Sequence, residues 1–223
     1  CVAKYYADEE LPVRLCYTGN TYTNTLKLQG KLKEVTQIGA ELVNDDSSAA
    51  DAEIIATVID CFNEIGISDF QIEIGQIDYF KGLVAESGIS EDEEDQIKEY
   101  IHIKNFFGLE EYVDALDISD SLKKAFVAFD SLFGGISMLD KAEGYVSNET
   151  SLEAVKRLRR VYAALECYGY QDHISFDIQE SYSADILMEP VMLLSRAVVT
   201  IIFSSSLERM HRLSVLPSLL RSS

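Results

Sequence analysis

The chain has 223 residues, 47% hydrophobic and 26% charged, which is long and apolar enough for a packed core and rules out wholesale disorder. Its 38 acidic against 19 basic residues leave a net charge of −19, which works against nucleic-acid and anionic-membrane partners, since both are gripped by clustered Lys and Arg. The apolar stretch 197–203 is far shorter than the ~20 residues of a membrane helix, so no membrane role is expected.

The chain opens at Cys1 and runs straight into Val2-Ala3-Lys4-Tyr5-Tyr6. It is therefore expected to begin inside an element, with an N-terminal portion missing, and no signal-peptide pattern is read in its opening residues. A loop at Asp8-Glu9-Glu10-Leu11-Pro12 leads to a predicted strand over 13–17. Residues 19–30, rich in Thr and Asn, read as a hairpin loop because these side chains bond their own backbone. The returning strand is predicted over about 32–42. Period-two alternation puts Gln37, Gly39 and Glu41 on one of its faces, two hydrogen-bonding groups flanking a residue without a side chain. That is a surface suited to a small polar molecule.

Asn44-Asp45-Asp46-Ser47-Ser48 supplies capping oxygens for a helix beginning near Asp51. Ile54, Ile55, Val58, Ile59 and Phe62 share one face of this helix, and Gly66 ends it. Phe70, Ile72 and Ile74 alternate with Gln71, Glu73 and Gly75 as a half-buried strand. From 79 to 168 the pattern turns helical, with helices predicted over 79–85, 91–103, 109–115, 121–130, 138–144 and 151–168. Gly134-Gly135 reads as a break between two of them. The acidic run Glu91-Asp92-Glu93-Glu94-Asp95 suits a helix start, where the macrodipole favours anions, better than a metal site.

Strand character returns at Ile174-Ser175-Phe176-Asp177. The remaining 46 residues hold ten serines, no lysine, and four acidic against four basic residues, so the whole negative excess lies in residues 1–177. Residues 178–223 lack helix or strand periodicity and are expected to be an atypical tail, frameshifted or disordered. Cys1, Cys16, Cys61 and Cys167 form no C-x-x-C pair and have no histidine at ligand spacing, so buried reduced thiols and no metal site are expected. His102 reads as a surface or packing residue, and His173 as a positioning residue at a turn. No G-x-S-x-G turn or phosphate-binding glycine loop is present.

The segment Leu15-Cys16-Tyr17-Thr18-Gly19-Asn20 through Gly30-Lys31-Leu32-Lys33-Glu34-Val35-Thr36-Gln37-Ile38-Gly39-Ala40-Glu41-Leu42 resembles motif 2 of class II histidyl-tRNA synthetases. With Asp51-Ala52-Glu53-Ile54-Ile55-Ala56, Asp69-Phe70-Gln71-Ile72-Glu73-Ile74-Gly75-Gln76, Phe80-Lys81-Gly82-Leu83 and Lys104-Asn105-Phe106-Phe107-Gly108, it resembles the ATP phosphoribosyltransferase regulatory subunit family, paralogues of that synthetase. The resemblance implies an α+β fold: a class II aminoacyl-tRNA synthetase-like, mainly antiparallel sheet flanked by helices, with a helical insertion over 79–168 inside a partial core of residues 1–177. The family continues past Asp177 with a Tyr- and Gly-rich strand segment absent here, so an incomplete sheet is expected. The resemblance further implies a cytoplasmic, non-catalytic protein without cofactor. Its partner would be a short-form catalytic subunit, typically four of each, in the first step of histidine biosynthesis, with histidine as feedback effector.

In the synthetases the hairpin loop supplies an arginine for the ATP α-phosphate and, two positions on, an acidic residue. Here Thr23 and Thr25 stand at those positions. A threonine cannot stabilise the charge that adenylation builds on that phosphate, and losing such a donor removes roughly 3 kcal/mol or more. Lys27 and Lys31 are mobile point charges and weaker substitutes. A truncated histidyl-tRNA synthetase or related amino-acid ligase is the alternative reading. Gln37 and Glu41 match the positions at which the synthetase holds free histidine, a carboxylate for the ammonium and an amide to orient it. Gln37, Gly39 and Glu41 are thus candidate histidine-binding residues; the alternative is that they only bond neighbouring strands.

Overall fold

The computed structural model describes residues 12–22, 34–43 and 45–179, together with the backbone of three short strands at 191–193, 198–200 and 203–204. The chain divides into two compact units, one of residues up to Phe70 joined by those from Arg196 onward, the other spanning Gln71–Ser195.

In the first unit, strands β1 (Val13–Tyr22) and β2 (Glu34–Val43) pair antiparallel over their full ten residues, from Val13 opposite Val43 to Tyr22 opposite Glu34. Two short strands, β7 (Val198–Thr200) and β8 (Phe203–Ser204), pair antiparallel with β2 at its other edge. The predicted loop therefore starts later than Gly19. Gly19, Asn20, Thr21 and Tyr22 continue the ladder because the opposing strand satisfies their backbone groups, which local turn propensity cannot do. The Asn20 amide donates to Glu34 at 2.7 Å, and the Tyr22 hydroxyl to the same oxygen at 3.0 Å.

Helix α1 (Ser48–Glu64) starts where Ser47 Oγ accepts from the Ala50 N–H at 3.1 Å. It buries Ile54, Ile55, Val58 and Ile59, the stripe expected from the sequence, and Gly66 follows its end at φ +78°, a conformation glycine adopts without strain. Ile38, Ala40 and Leu42 are buried on the face of β2 that shares its side with Arg14. Arg14 forks onto the Glu53 carboxylate of α1 at 2.5 and 2.7 Å, which marks this as the helix-covered side of the sheet.

The second unit is built around β3 (Ile72–Gly75), flanked in parallel by β5 (Ile174–Asp177) and β6 (Val191–Leu193). A two-residue strand β4 (Phe133–Gly134) closes on β5 antiparallel. Phe133 and Gly134 thus pair with Asp177 and Phe176, where the sequence predicted only a helix break, since two residues are too few to show a period.

Among the described residues this unit also holds six α-helices: α2 (Asp78–Ser87), α3 (Glu91–His102), α4 (Phe106–Asp114), α5 (Asp120–Val127), α6 (Met138–Gly144) and α7 (Glu149–Tyr168). Their core is an aromatic group in which Phe80 meets Phe126 and Phe129 edge-on, each with ring centroids 5.8 Å apart. The buried Tyr79 hydroxyl donates to the Ala142 carbonyl at 2.9 Å. Helix α4 begins three residues before the predicted start, because Asn105 accepts from the Gly108 N–H at 3.1 Å and caps it. Of residues 178–223, Ile178, Gln179 and strands β6 to β8 are described; Ile178 donates its N–H to the Leu132 carbonyl at 3.2 Å and Gln179 its side-chain amide to Phe129 at 2.5 Å. The other residues of that segment, and residues 1–11, lie outside the described residues.

Candidate functional site

The strand pair β1–β2 brings the predicted residues to one face. Residues directly opposite in an antiparallel pair point to the same side, so Leu15, Tyr17 and Gly19 of β1 share a face with Glu41, Gly39 and Gln37 of β2. This is the side away from Arg14 and α1. Strands β7 and β8 extend the same rows, with Thr200 in register with Glu41 and Ser204 with Gln37.

Glu41 is half-buried and Gly39 buried, while the side chain of Gln37 lies outside the described residues. Gly39 is not an opening. Its place is taken by Tyr17, whose ring crosses from β1 so that the Cε1, Cζ and hydroxyl atoms would overlap any Cβ built on Gly39. Tyr17 nonetheless keeps 39% of its surface exposed. One face of the phenol therefore rests on the glycine, and the residue presents aromatic surface between the rows occupied by Gln37 and Glu41. Sequence reasoning passed over Tyr17. Its partner is set by register, and a hairpin with a long connection does not reveal its register.

Thr23, Thr25, Lys27 and Lys31 lie outside the described residues. The last described residue before them is Tyr22, 72% exposed and anchored through its hydroxyl to Glu34.

The other candidates belong to other elements. Among the described residues no group of His, Cys, Asp and Glu is arranged to hold a metal ion. The acidic run opens α3, where Ser90 and Glu93 form a reciprocal cap: Ser90 donates its N–H to Glu93 at 2.8 Å, and the Glu93 N–H donates to Ser90 Oγ at 3.4 Å. The Ser90 N–H and hydroxyl, each donating to the Glu93 carboxylate at 2.8 Å, hold that carboxyl below its ordinary range. Lys98 bonds Glu94 at 2.7 Å and Asp95 at 3.2 Å one turn later. His102 is exposed in the last turn of the same helix, and His173 half-buried in a short 3-10 turn (Gln171–His173). Cys61 is buried as expected, but Cys16 and Cys167 are exposed. Cys16 alternates onto a strand face and Cys167 stands near the end of α7 on its open side. Among the described residues no helix is long and apolar enough to cross a membrane.

Residues 2–185 match the family model of histidyl-tRNA synthetase. The chain belongs to the histidyl-tRNA synthetase family. Within that family it is 40% identical over 171 residues to the ATP phosphoribosyltransferase regulatory subunit of Acetivibrio thermocellus, a match covering 77% of this chain and 41% of that protein. It is 34% identical over 169 residues to the regulatory subunit of Clostridium acetobutylicum, covering 75% of this chain and 42% of that one. The chain thus spans less than half the length of the curated relatives it matches. The crystal structure of an ATP phosphoribosyltransferase regulatory subunit/histidyl-tRNA synthetase from Bacillus halodurans superposes with a TM-score of 0.73 at 28% identity, over 93% of this chain and 52% of that one. The fold is the α+β class II synthetase-like fold of the family.

Proposed function

We propose that this chain is a portion of a non-catalytic regulatory subunit of ATP phosphoribosyltransferase, acting in the first step of histidine biosynthesis in the cytoplasm. Its partner would be the short-form catalytic subunit, in a hetro-oligomer typically of four plus four, with histidine as effector. The names of relatives 34–40% identical to it support this reading. The observation that carries it lies on β1 and β2. Gly39 and Glu41 stand on one face of β2, while the chain following β1 reads Thr23-Asn24-Thr25 and lacks the guanidinium that amino-acid activation requires. A protein built this way recognises an amino acid without activating it.

The proposed histidine ligands are Gln37, Gly39 and Glu41. Glu41 would pair with the ammonium group, Gln37 would orient the ligand through its amide, and Gly39 would seat the Tyr17 ring between them. No cofactor is needed for that task. In domain terms the proposal takes residues 1–177 as a partial class II core, with 79–168 as its mostly helical insertion, and 178–223 as an atypical tail.

The test is co-purification of this chain with a short-form catalytic subunit, followed by phosphoribosyl transfer with and without histidine. Association, raised activity and histidine inhibition are expected; a chain that neither associates nor changes the rate overturns the reading. The family model, that of a synthetase, favours a second reading as an amino-acid-activating enzyme. Histidine-dependent ATP–pyrophosphate exchange by the purified chain would establish it, and none is expected.

A further inference from the structure

We infer that the corner between α3 and α4 is a docking surface for a partner protein, with the Phe107 ring as its anchor and a cationic, arginine- or lysine-bearing surface as its occupant. The inference rests on the reading of this chain as a regulatory subunit, and takes the short-form catalytic subunit as that partner.

Two local costs meet at this corner. Lys104 holds φ +54°, where a glycine would be unstrained. Ile103 before it and Phe107 after it are 54% and 72% exposed, although Leu109 and Val113 already supply the buried face of α4. The corner is nonetheless fixed. Asn105 caps α4 and donates its N–H to the Tyr100 carbonyl at 2.9 Å. Gly108 lets that first turn close on α3, since a Cβ there would come within 2.6 Å of Asn105 Nδ2 and 2.8 Å of Tyr100 Cε1. Tyr100 in turn packs on Tyr112 with ring centroids 5.7 Å apart. An exposed aromatic on a rigid support loses little conformational freedom when a partner covers it.

Charge identifies what the surface takes. Phe107, Glu110, Glu111 and Asp114 recur at helical spacing on the outer face of α4, and all four are exposed. On α3 Lys98 takes up Glu94 and Asp95, but among the described residues no ion pair takes up Glu110, Glu111 or Asp114. Residues 91–117 hold ten carboxylates against two lysines. A second copy of this chain would bring like charges face to face, which disfavours it as the occupant. A guanidinium satisfies the surface best: it lies on the Phe107 ring and forks onto a neighbouring carboxylate, whereas an ammonium meets the same groups as a point charge.

The experiment is sedimentation velocity of this chain mixed with a short-form catalytic subunit, at low and high salt, for the parent, Phe107→Ser, Glu111→Lys and, as a control, Tyr168→Ser, which alters an exposed tyrosine of α7. The parent is expected to bind, more weakly at high salt. Phe107→Ser and Glu111→Lys are each expected to weaken binding roughly ten-fold or more, and Glu111→Lys to flatten the salt dependence as well. Tyr168→Ser is expected to stay within about two-fold of the parent. Glu111→Lys reads the same surface without touching its apolar part, so a loss in both variants is not a packing defect at Phe107. Parent-like affinity in both overturns the docking surface and leaves the regulatory reading standing. An equal loss in Tyr168→Ser overturns it too, as does self-association of the parent that Phe107→Ser abolishes, which marks a second copy as the occupant. A parent chain that does not bind the catalytic subunit overturns the surface and the regulatory reading together.

Discussion

Ser151 Oγ donates to the Tyr79 carbonyl at 2.6 Å, tying the first turn of α7 to α2 inside the second unit. The two helices meet at Gly82, where an added Cβ would overlap Ser151 Oγ and Asn148 Oδ1 and come within 2.8 Å of the Ser151 backbone nitrogen. Asn148 caps α7 by accepting from that same N–H at 2.7 Å and donates its amide to Glu86 of α2 at 2.9 Å. Cap, crossing point and interhelical bond are one construction. Gly82→Ala is therefore expected to destabilise the protein by about 1–3 kcal/mol through overpacking, and Ser151→Ala by about 1 kcal/mol through the lost hydrogen bond. In urea unfolding the double variant is expected to lose less than the sum, because removing Ser151 Oγ relieves one of the overlaps.

Lys104 links α3 to α4 at φ +54°, a left-handed conformation that side chains adopt at a cost. Its N–H reaches the Ile101 carbonyl at 3.0 Å and that of Asn105 reaches Tyr100 at 2.9 Å, so the turn is held by the helix end it closes. Lys104→Gly is expected to raise stability by up to about 1 kcal/mol, whereas Lys104→Ala keeps the strain and shows no such gain. Paired thermal melts of the two variants check this.

Burial pushes the Cys61 thiol from its ordinary 9.0 up to about 11. The folded state therefore holds this proton more tightly than the unfolded chain. Stability from Cys61 is intact below pH 9 and falls as the pH rises toward 11, and Tyr79, also raised by burial above its ordinary 10.0, adds to the loss at higher pH. Cys61→Ala is expected to flatten the decline between pH 9 and 11 in alkaline urea titrations. In the native protein at neutral pH, thiol labelling with peptide mapping is expected to mark Cys16 and Cys167 and spare Cys61 until denaturant is added.

Glu93 titrates in the opposite sense. Hydrogen bonds from Ser90 depress its pKa, so its stabilisation is present above the ordinary 4.5 and disappears as the pH falls through the lower folded value. Glu93→Gln keeps an acceptor for the Ser90 N–H while removing the titration. Its helical signal is expected to fall less steeply than the parent's in acid, as circular dichroism between pH 5 and 2 measures.

Much of the helical region was legible because its burial follows the 3.6-residue period. Met138–Gly144 has the bounds its pattern predicts, and Ile54, Ile55, Val58 and Ile59 are the face that α1 buries. Errors gathered where a partner far along the chain decides. Gly19 to Tyr22 carry turn residues yet form a strand because Glu34 to Gln37 lie opposite them. Phe133 and Gly134 are strand only through Asp177 and Phe176. At the start of α4, the error was local: Asn105 announces the cap, and the apolar pattern from Leu109 drew the prediction inward.

The candidate site divides in the same way. Sequence alone determined that Gln37, Gly39 and Glu41 face one side, since alternation along a strand is a covalent property of the backbone, and that Thr23 and Thr25 bring no charge to a phosphate. Only the tertiary structure decided what stands on Gly39. The register of β1 against β2 puts Tyr17 there, and register is set by the whole ladder and the faces it buries, which no single segment of the chain encodes.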